Sequence, residues 1–168
     1  AKDLNPVQQR FVTETCEDFV SSGADLPDDK KKRVAEIDAK LSALTQTFSE
    51  NVVYSTDDWE LIVEGADRLK GMPEMAIEGA RLSALEKGLG TEEKPQYRFT
   101  LQHPSMMPVM QFADDDSLRK EIWEGGNTVG SKGKWDNTEI LGEVISLRHE
   151  KAEILGKRNF PEMILEHR

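Results

Sequence analysis

Residues that carry chemistry are scarce in this chain. Its 168 residues include one cysteine and three histidines. The lone Cys16 excludes an internal disulfide and fits a reducing compartment, so a cytoplasmic location is the expectation. Basic residues are outnumbered, with 22 Lys and Arg against 32 Asp and Glu, for a formal charge of −10. Broad contact with nucleic acid or anionic membrane needs dense cationic charge, so neither is an expected partner. No apolar run approaches the roughly 20 residues that span a bilayer. No secretory signal opens the chain, which starts at Ala1 rather than Met. A trimmed or excised piece of a longer protein is therefore expected, and the missing signal says little about the parent.

What is present points to helices. Hydrophobic residues make up 37% and charged residues 32%, in a length ordinarily occupied by a single domain, here 1–168. A first helix is expected from Asn5, with Pro6 in its first turn. Its stripe is Val7, Phe11, Val12, Cys16, Phe19 and Val20, closed by Ser21-Ser22-Gly23. On that stripe Cys16 reads as a small packed hydrophobe rather than a reactive thiol, since no cation adjoins it. A longer helix is expected from Pro27 or Asp28 to about Val52. Val34, Ile37, Leu41, Leu44, Phe48 and Val52 form a nearly heptad seam suited to antiparallel packing. With the first helix it reads as a helical hairpin. The basic run Lys30 to Arg33 is flanked by acids and reads as a solvated face.

Ser55-Thr56-Asp57-Asp58 then breaks the helical pattern. Trp59, Leu61 and Val63 alternate with Glu60 and Ile62, and Tyr97, Phe99 and Leu101 alternate with Arg98, Thr100 and Gln102. Two strands paired as an antiparallel ribbon on the helices follow from this. Between them Pro73 opens a helix that Gly88 ends. Met106, Met107 and Met110 lie among Pro104 and Pro108; gap filling is the better reading than a thioether metal site. Asp114-Asp115-Asp116 lacks the spacing, glycine and final glutamate of a calcium loop, so it reads as the cap of a helix carrying Leu118, Ile122 and Trp123.

The last long helix follows Asp136 or Asn137, either of which can cap it. It carries Ile140, Leu141, Val144, Ile145, Leu147, Ile154 and Leu155, and Gly156 is its left-handed stop. Phe160, Met163, Ile164 and Leu165 make an apolar final segment. The expected fold class is thus mainly α, with helical hairpins, a bundle and a small two-stranded antiparallel β ribbon.

Gly133-Lys134-Trp135-Asp136-Asn137, then Leu147-Arg148, Glu150, Ala152, Leu155-Gly156 and Asn159-Phe160, resemble a known family. The wording is similar to the non-catalytic N-terminal helical region of the oligopeptidase A and thimet oligopeptidase family of zinc metallopeptidases. The likeness runs from about Phe11 to Phe160. It implies a channel-wall portion of a larger helical peptidase fold, in a parent that hydrolyses short peptides. The family's zinc site is His-Glu-x-x-His on a helix with a further Glu downstream. These residues hold His103, His149 and His167, and the nearest approach is His149-Glu150-Lys151-Ala152-Glu153. That stretch reads as a surface ion-pair face. No catalytic, cofactor-binding or metal residue is therefore assigned here; zinc is expected in the full-length parent, with its catalytic domain after residue 168. A stand-alone helical interaction domain without enzymatic activity is the alternative.

One passage departs from the family. Glu124-Gly125-Gly126-Asn127-Thr128-Val129-Gly130 stands where a helix usually continues, and two glycines cost about 2 kcal/mol there relative to alanine. Either the helix stops early or flexible backbone is wanted. A chain cut at Arg168 also uncovers apolar surface, on the final segment and on one side of the 133–156 helix, so self-association is expected.

Overall fold

The computed structural model describes residues 4–165. Among them are seven α-helices and one ribbon: α1 Pro6–Ser21, α2 Asp28–Asp58, β1 Glu60–Glu64, α3 Glu74–Glu86, β2 Gln96–Thr100, α4 His103–Phe112, α5 Asp116–Asn127, α6 Thr138–Ile154 and α7 Phe160–Leu165. The chain is mainly α with a two-stranded antiparallel sheet. It forms two compact units, one of residues 48–138 and one of 1–47 with 139–168.

In the 48–138 unit the ribbon pairs Leu61 with Phe99 and Val63 with Tyr97. Those residues face inward and meet Leu69, Met72, Ala80, Val109, Ala113, Leu118 and Ile122 in one core. Period-2 alternation on the strands and helical spacing on α3 and α5 thus converge on the same interior. Met106 and Met110 pack against that core, as gap filling requires. Asp115 caps α5 by accepting from the Leu118 amide at 2.8 Å. Arg68, from a turn of 3-10 helix at 67–69, reaches Asp115, Ser117 and Glu121 and fastens that turn to α5.

In the other unit Asn5 caps α1 in a reciprocal capping box with Gln8. Arg33 pairs with Glu150 at 2.6 Å and Lys40 with Glu143. Rising numbers on α2 meet falling numbers on α6, so these helices run antiparallel. Val34 and Ile37 on one, and Val144, Leu147 and Ala152 on the other, are buried. The α6 helix stops before Gly156, whose φ of 75° is the left-handed conformation that releases the chain.

Two expectations need correction, and two passages whose backbone the sequence left open are helical. The stripe of α1 is uncovered: no residue of that helix is buried, and Cys16 is exposed rather than packed. The α2 helix passes Val52 and runs six residues further. Its polar residues are held there, Thr56 bonding back to the Val52 carbonyl and Ser55 accepting from the Gly130 amide. The segment His103–Phe112 is a helix, opened by Pro104 in its first turn, where a missing N–H loses no bond. Finally, α5 continues through both glycines. Gly125 is buried because the Trp59 indole lies on it; a Cβ there would stand 2.5 Å from the ring. The close approach, rather than an early stop, explains that residue.

Candidate functional site

The nearest thing to a metal motif lies on α6. His149 and Glu153 are one turn apart, with 3.5 Å between Nε2 and Oε1, and both are exposed. Glu150 stands where a zinc peptidase places its water-activating carboxylate. Here both its oxygens accept from Arg33, at 2.6 and 2.9 Å. That pairing holds its carboxyl below the ordinary value, which makes it a poorer base. His103 sits exposed at the start of α4, and His167 lies outside the described residues. Among the described residues no group of three or more His, Cys, Asp or Glu side chains comes together. The donor set around His149 does not fit a zinc ion, which takes three or four protein ligands.

The Gly133–Asn137 phrase forms a buckle. Asn137 is buried; its side chain accepts from Asn51 at 2.9 Å and donates to the Phe48 carbonyl at 3.1 Å. Its amide donates to Gly130. Trp135 packs against Tyr54 in a tilted arrangement with centroids 4.8 Å apart and donates to Asp58, which also pairs with Lys134. Both partners hold the Asp58 carboxyl below its ordinary range. Asp136, not Asn137, does the capping, accepting from the amide and hydroxyl of Thr138. A buried asparagine with its side-chain oxygen, side-chain nitrogen and main-chain N–H all bonded fixes a loop against one stretch of helix.

The 48–138 unit also contains a concavity. A cavity of about 520 Å³ opens between α3, β2 and α4. Small residues of α3 (Ala76, Gly79, Ala80, Ser83) form one wall and Pro104 and Pro108 of α4 another. Arg98, Phe99 and Thr100 of β2 form the third. Arg98, whose side chain is 15% exposed, donates to Glu60 at 2.7 Å and to Ser83 at 2.9 Å. The same Glu60 oxygen accepts from Lys87 at 2.8 Å. Two cations on one carboxylate, Lys87 and Arg98, hold Glu60 below its ordinary range. The cavity was missed in the sequence because α4 was not read as a helix; Pro104 after a strand was the available signal.

Comparison with known proteins gives these features a context. Over 168 aligned residues the chain is 38% identical to oligopeptidase A of Haemophilus influenzae, covering 97% of this chain and 24% of that protein. The chain is homologous to a stretch of oligopeptidase A. A probable cytosolic oligopeptidase A of Arabidopsis thaliana is 35% identical over 95% of this chain and 23% of its own length. A thimet-like oligopeptidase of Dictyostelium discoideum is 34% identical over 94% of this chain and 22% of its own. The chain thus spans about a quarter of the length of the curated relatives it matches. No family model matches it. No helix among the described residues is long and apolar enough to cross a membrane. The oligopeptidase A likeness extends through the buckle, whose conspicuous residues hold the fold rather than present reactive groups.

Proposed function

We propose that this chain is the non-catalytic, channel-wall portion of an oligopeptidase A-like zinc metalloendopeptidase that hydrolyses short peptides. One observation carries the reading: identity of 38% reaches across nearly all of this chain but only a quarter of the relative. The His149 region supports it, since its glutamate is committed to Arg33 and no third donor stands nearby among the described residues. Zinc and the catalytic helix belong, on this reading, to a domain after residue 168, with 1–168 a single helical domain of the parent. The peptides are its partners, nucleic acid and membrane are not, and its place of work is the cytoplasm. The similarity to a probable cytosolic oligopeptidase A of Arabidopsis thaliana supports that location.

A second reading is a stand-alone helical interaction domain. It draws on α1, where Val7, Phe11 and Phe19 are 78%, 70% and 63% exposed. On either reading exposed faces of this size find partners, and the isolated chain self-associates despite its charge, which salt screens beyond about 10 Å at 0.1 M. Light-scattering mass across a dilution series reads this. A strict monomer without hydrophobic-dye binding would argue against uncovered interface.

The deciding experiment compares the isolated chain with the protein encoded by its whole reading frame. Metal analysis and a quenched-fluorescent short peptide should give one zinc and chelator-sensitive cleavage for the whole, and neither for the chain. His149→Ala should be silent in both. A reading frame without His-Glu-x-x-His beyond Arg168 would favour the interaction domain. Tightly bound metal on the isolated chain, removed by chelator with loss of cleavage, would overturn both.

A further inference from the structure

The turn between α6 and α7 builds a second hollow, within the unit of 1–47 and 139–168. Both ends of that turn are tied. On the α6 side the Gly156 amide donates to the Glu153 carbonyl at 3.0 Å and the Lys157 amide to the Ala152 carbonyl at 2.8 Å. On the α7 side the Asn159 side chain accepts from the Glu162 amide at 2.9 Å, and Glu162 accepts from the Arg158 amide at 2.7 Å. Phe160 is thereby brought back over α6, where the Arg148 guanidinium lies 4.9 Å from its ring centroid. The hollow, of about 350 Å³, is lined by Ile145, Arg148, His149, Asn159, Phe160 and Pro161. Asn159 is occupied with its cap, and His149 stands beside Glu153. Arg148 differs. It is half-buried, and among the described residues it pairs with no carboxylate, whereas each of the other described arginines does. With acids outnumbering bases 32 to 22, that vacancy is not for want of carboxylates in the chain.

We propose that this hollow is a docking point for the remainder of the parent protein, which seats an aspartate or glutamate side chain on Arg148 with apolar side chains around it. A guanidinium held against a ring keeps its outer N–H groups for a bidentate carboxylate, and little of its freedom is left to lose on docking. The surroundings are apolar and open. Leu141 and Ile145 stand exposed on α6, seven and three positions before Arg148 and so on its face, and Ile164 and Leu165 stand exposed on α7. An apolar patch with one arginine anchor has the composition of a protein interface. A small organic acid would use the arginine and the ring but leave those four side chains in water. The inference rests on the peptidase reading, which supplies the occupant: this chain covers 24% of the relative, so most of the parent remains to meet it.

Cysteine labelling reads the contact directly. In a Cys16→Ser background, Ile145→Cys is introduced into the isolated chain and into the protein encoded by the whole reading frame. In dilute solution a neutral maleimide should label the isolated chain as an exposed thiol, and the whole protein about tenfold more slowly. Adding Arg148→Gln should speed labelling of the whole protein about fivefold and leave the isolated chain unchanged. Arg148→Lys keeps the charge but loses the fork, so it should fall between, and it carries the test if Arg148→Gln does not fold. Circular dichroism melts verify folding. Equal labelling of chain and whole protein, protection indifferent to both Arg148 variants, or a reading frame that ends near Arg168 overturns the proposal. So does protection of the whole protein that disappears on dilution, which would give the face to a second copy. Zinc content and peptide cleavage judge the peptidase reading separately: a zinc-loaded, active protein in which the thiol of Ile145→Cys reacts freely removes this inference alone.

Discussion

The two compact units solve the same problem differently. Among the described residues, 48–138 enclose twelve buried apolar side chains around one ribbon, whereas 1–47 with 139–168 enclose five. The second unit fixes its long helices by charge, through Arg33–Glu150, Lys40–Glu143 and Lys151–Asp38. It leaves Val7, Phe11, Phe19, Leu141 and Ile145 in the open. Exposed ion pairs contribute little stability each, but opposite charges at matched positions set which turn of one helix meets which turn of another. The lesson is a division between elements held by burial and elements held in register. Stability should concentrate in the first, and surface awaiting a partner in the second.

The sharpest way to break that contrast is a pair of phenylalanines. Phe99 is 1% exposed in the ribbon core, and Phe19 is 63% exposed on α1. Phe99→Ala should lower stability by about 3–5 kcal/mol, the cost of a large buried ring and its cavity. Phe19→Ala should stay within about 0.5 kcal/mol when the chain is dilute. Denaturant melts of both variants check this. Similar losses would mean that α1 is covered after all.

A smaller effect comes from the paired glycines. Gly125→Ala forces a methyl into the Trp59 indole, and overpacking of this kind costs roughly 1–3 kcal/mol. Gly126→Ala meets only the Met106 sulfur, at 3.8 Å, and should be neutral or stabilising by up to about 1 kcal/mol. Thermal melts that rank them the other way would show that α5 does not press on Trp59.

These residues also mark what could be read in advance. Local signals were legible: the Asn5 cap with Pro6, the alternation around Leu61 and Phe99, the Asp115 cap, the Gly156 stop. Each depends on a few neighbours in the chain. What stayed hidden depends on distant partners. Gly125 is explained by Trp59, 66 positions earlier, and the last turns of α2 by a loop amide at Gly130. The stripe on α1 was legible as apolar, but no sequence pattern says whether a cover exists. Likewise the cavity was invisible because its strand, its small-residue wall and its prolines come from three separate elements.

The smallest predicted effect separates the units by their response to acid. Asp115, in the 48–138 unit, accepts from the Ser117 hydroxyl and the Leu118 amide and faces Arg68, which brings its carboxyl from 3.8 to about 2. A pKa lower in the folded than in the unfolded chain means the folded state favours the anion. That stabilisation is fully present above the unfolded value and is lost as pH falls through the folded one. Glu150, in the other unit, is also lowered from 4.5, by Arg33 first. Its partner is a single exposed cation, so salt weakens the pull, whereas two of Asp115's partners are a neutral hydroxyl and an amide. Asn caps a helix about as well as Asp, so Asp115→Asn removes the titration while keeping the cap. The difference in Tm between the parent chain and Asp115→Asn should therefore be largest above about pH 4 and close near pH 2, in low salt and in about 0.5 M salt alike. The difference made by Glu150→Gln should fade in the same salt at any pH. A Tm gap for Asp115→Asn that widens on acidification, or that salt erases as readily as Glu150's, would show that capping and ion pairing do not divide between the units in this way.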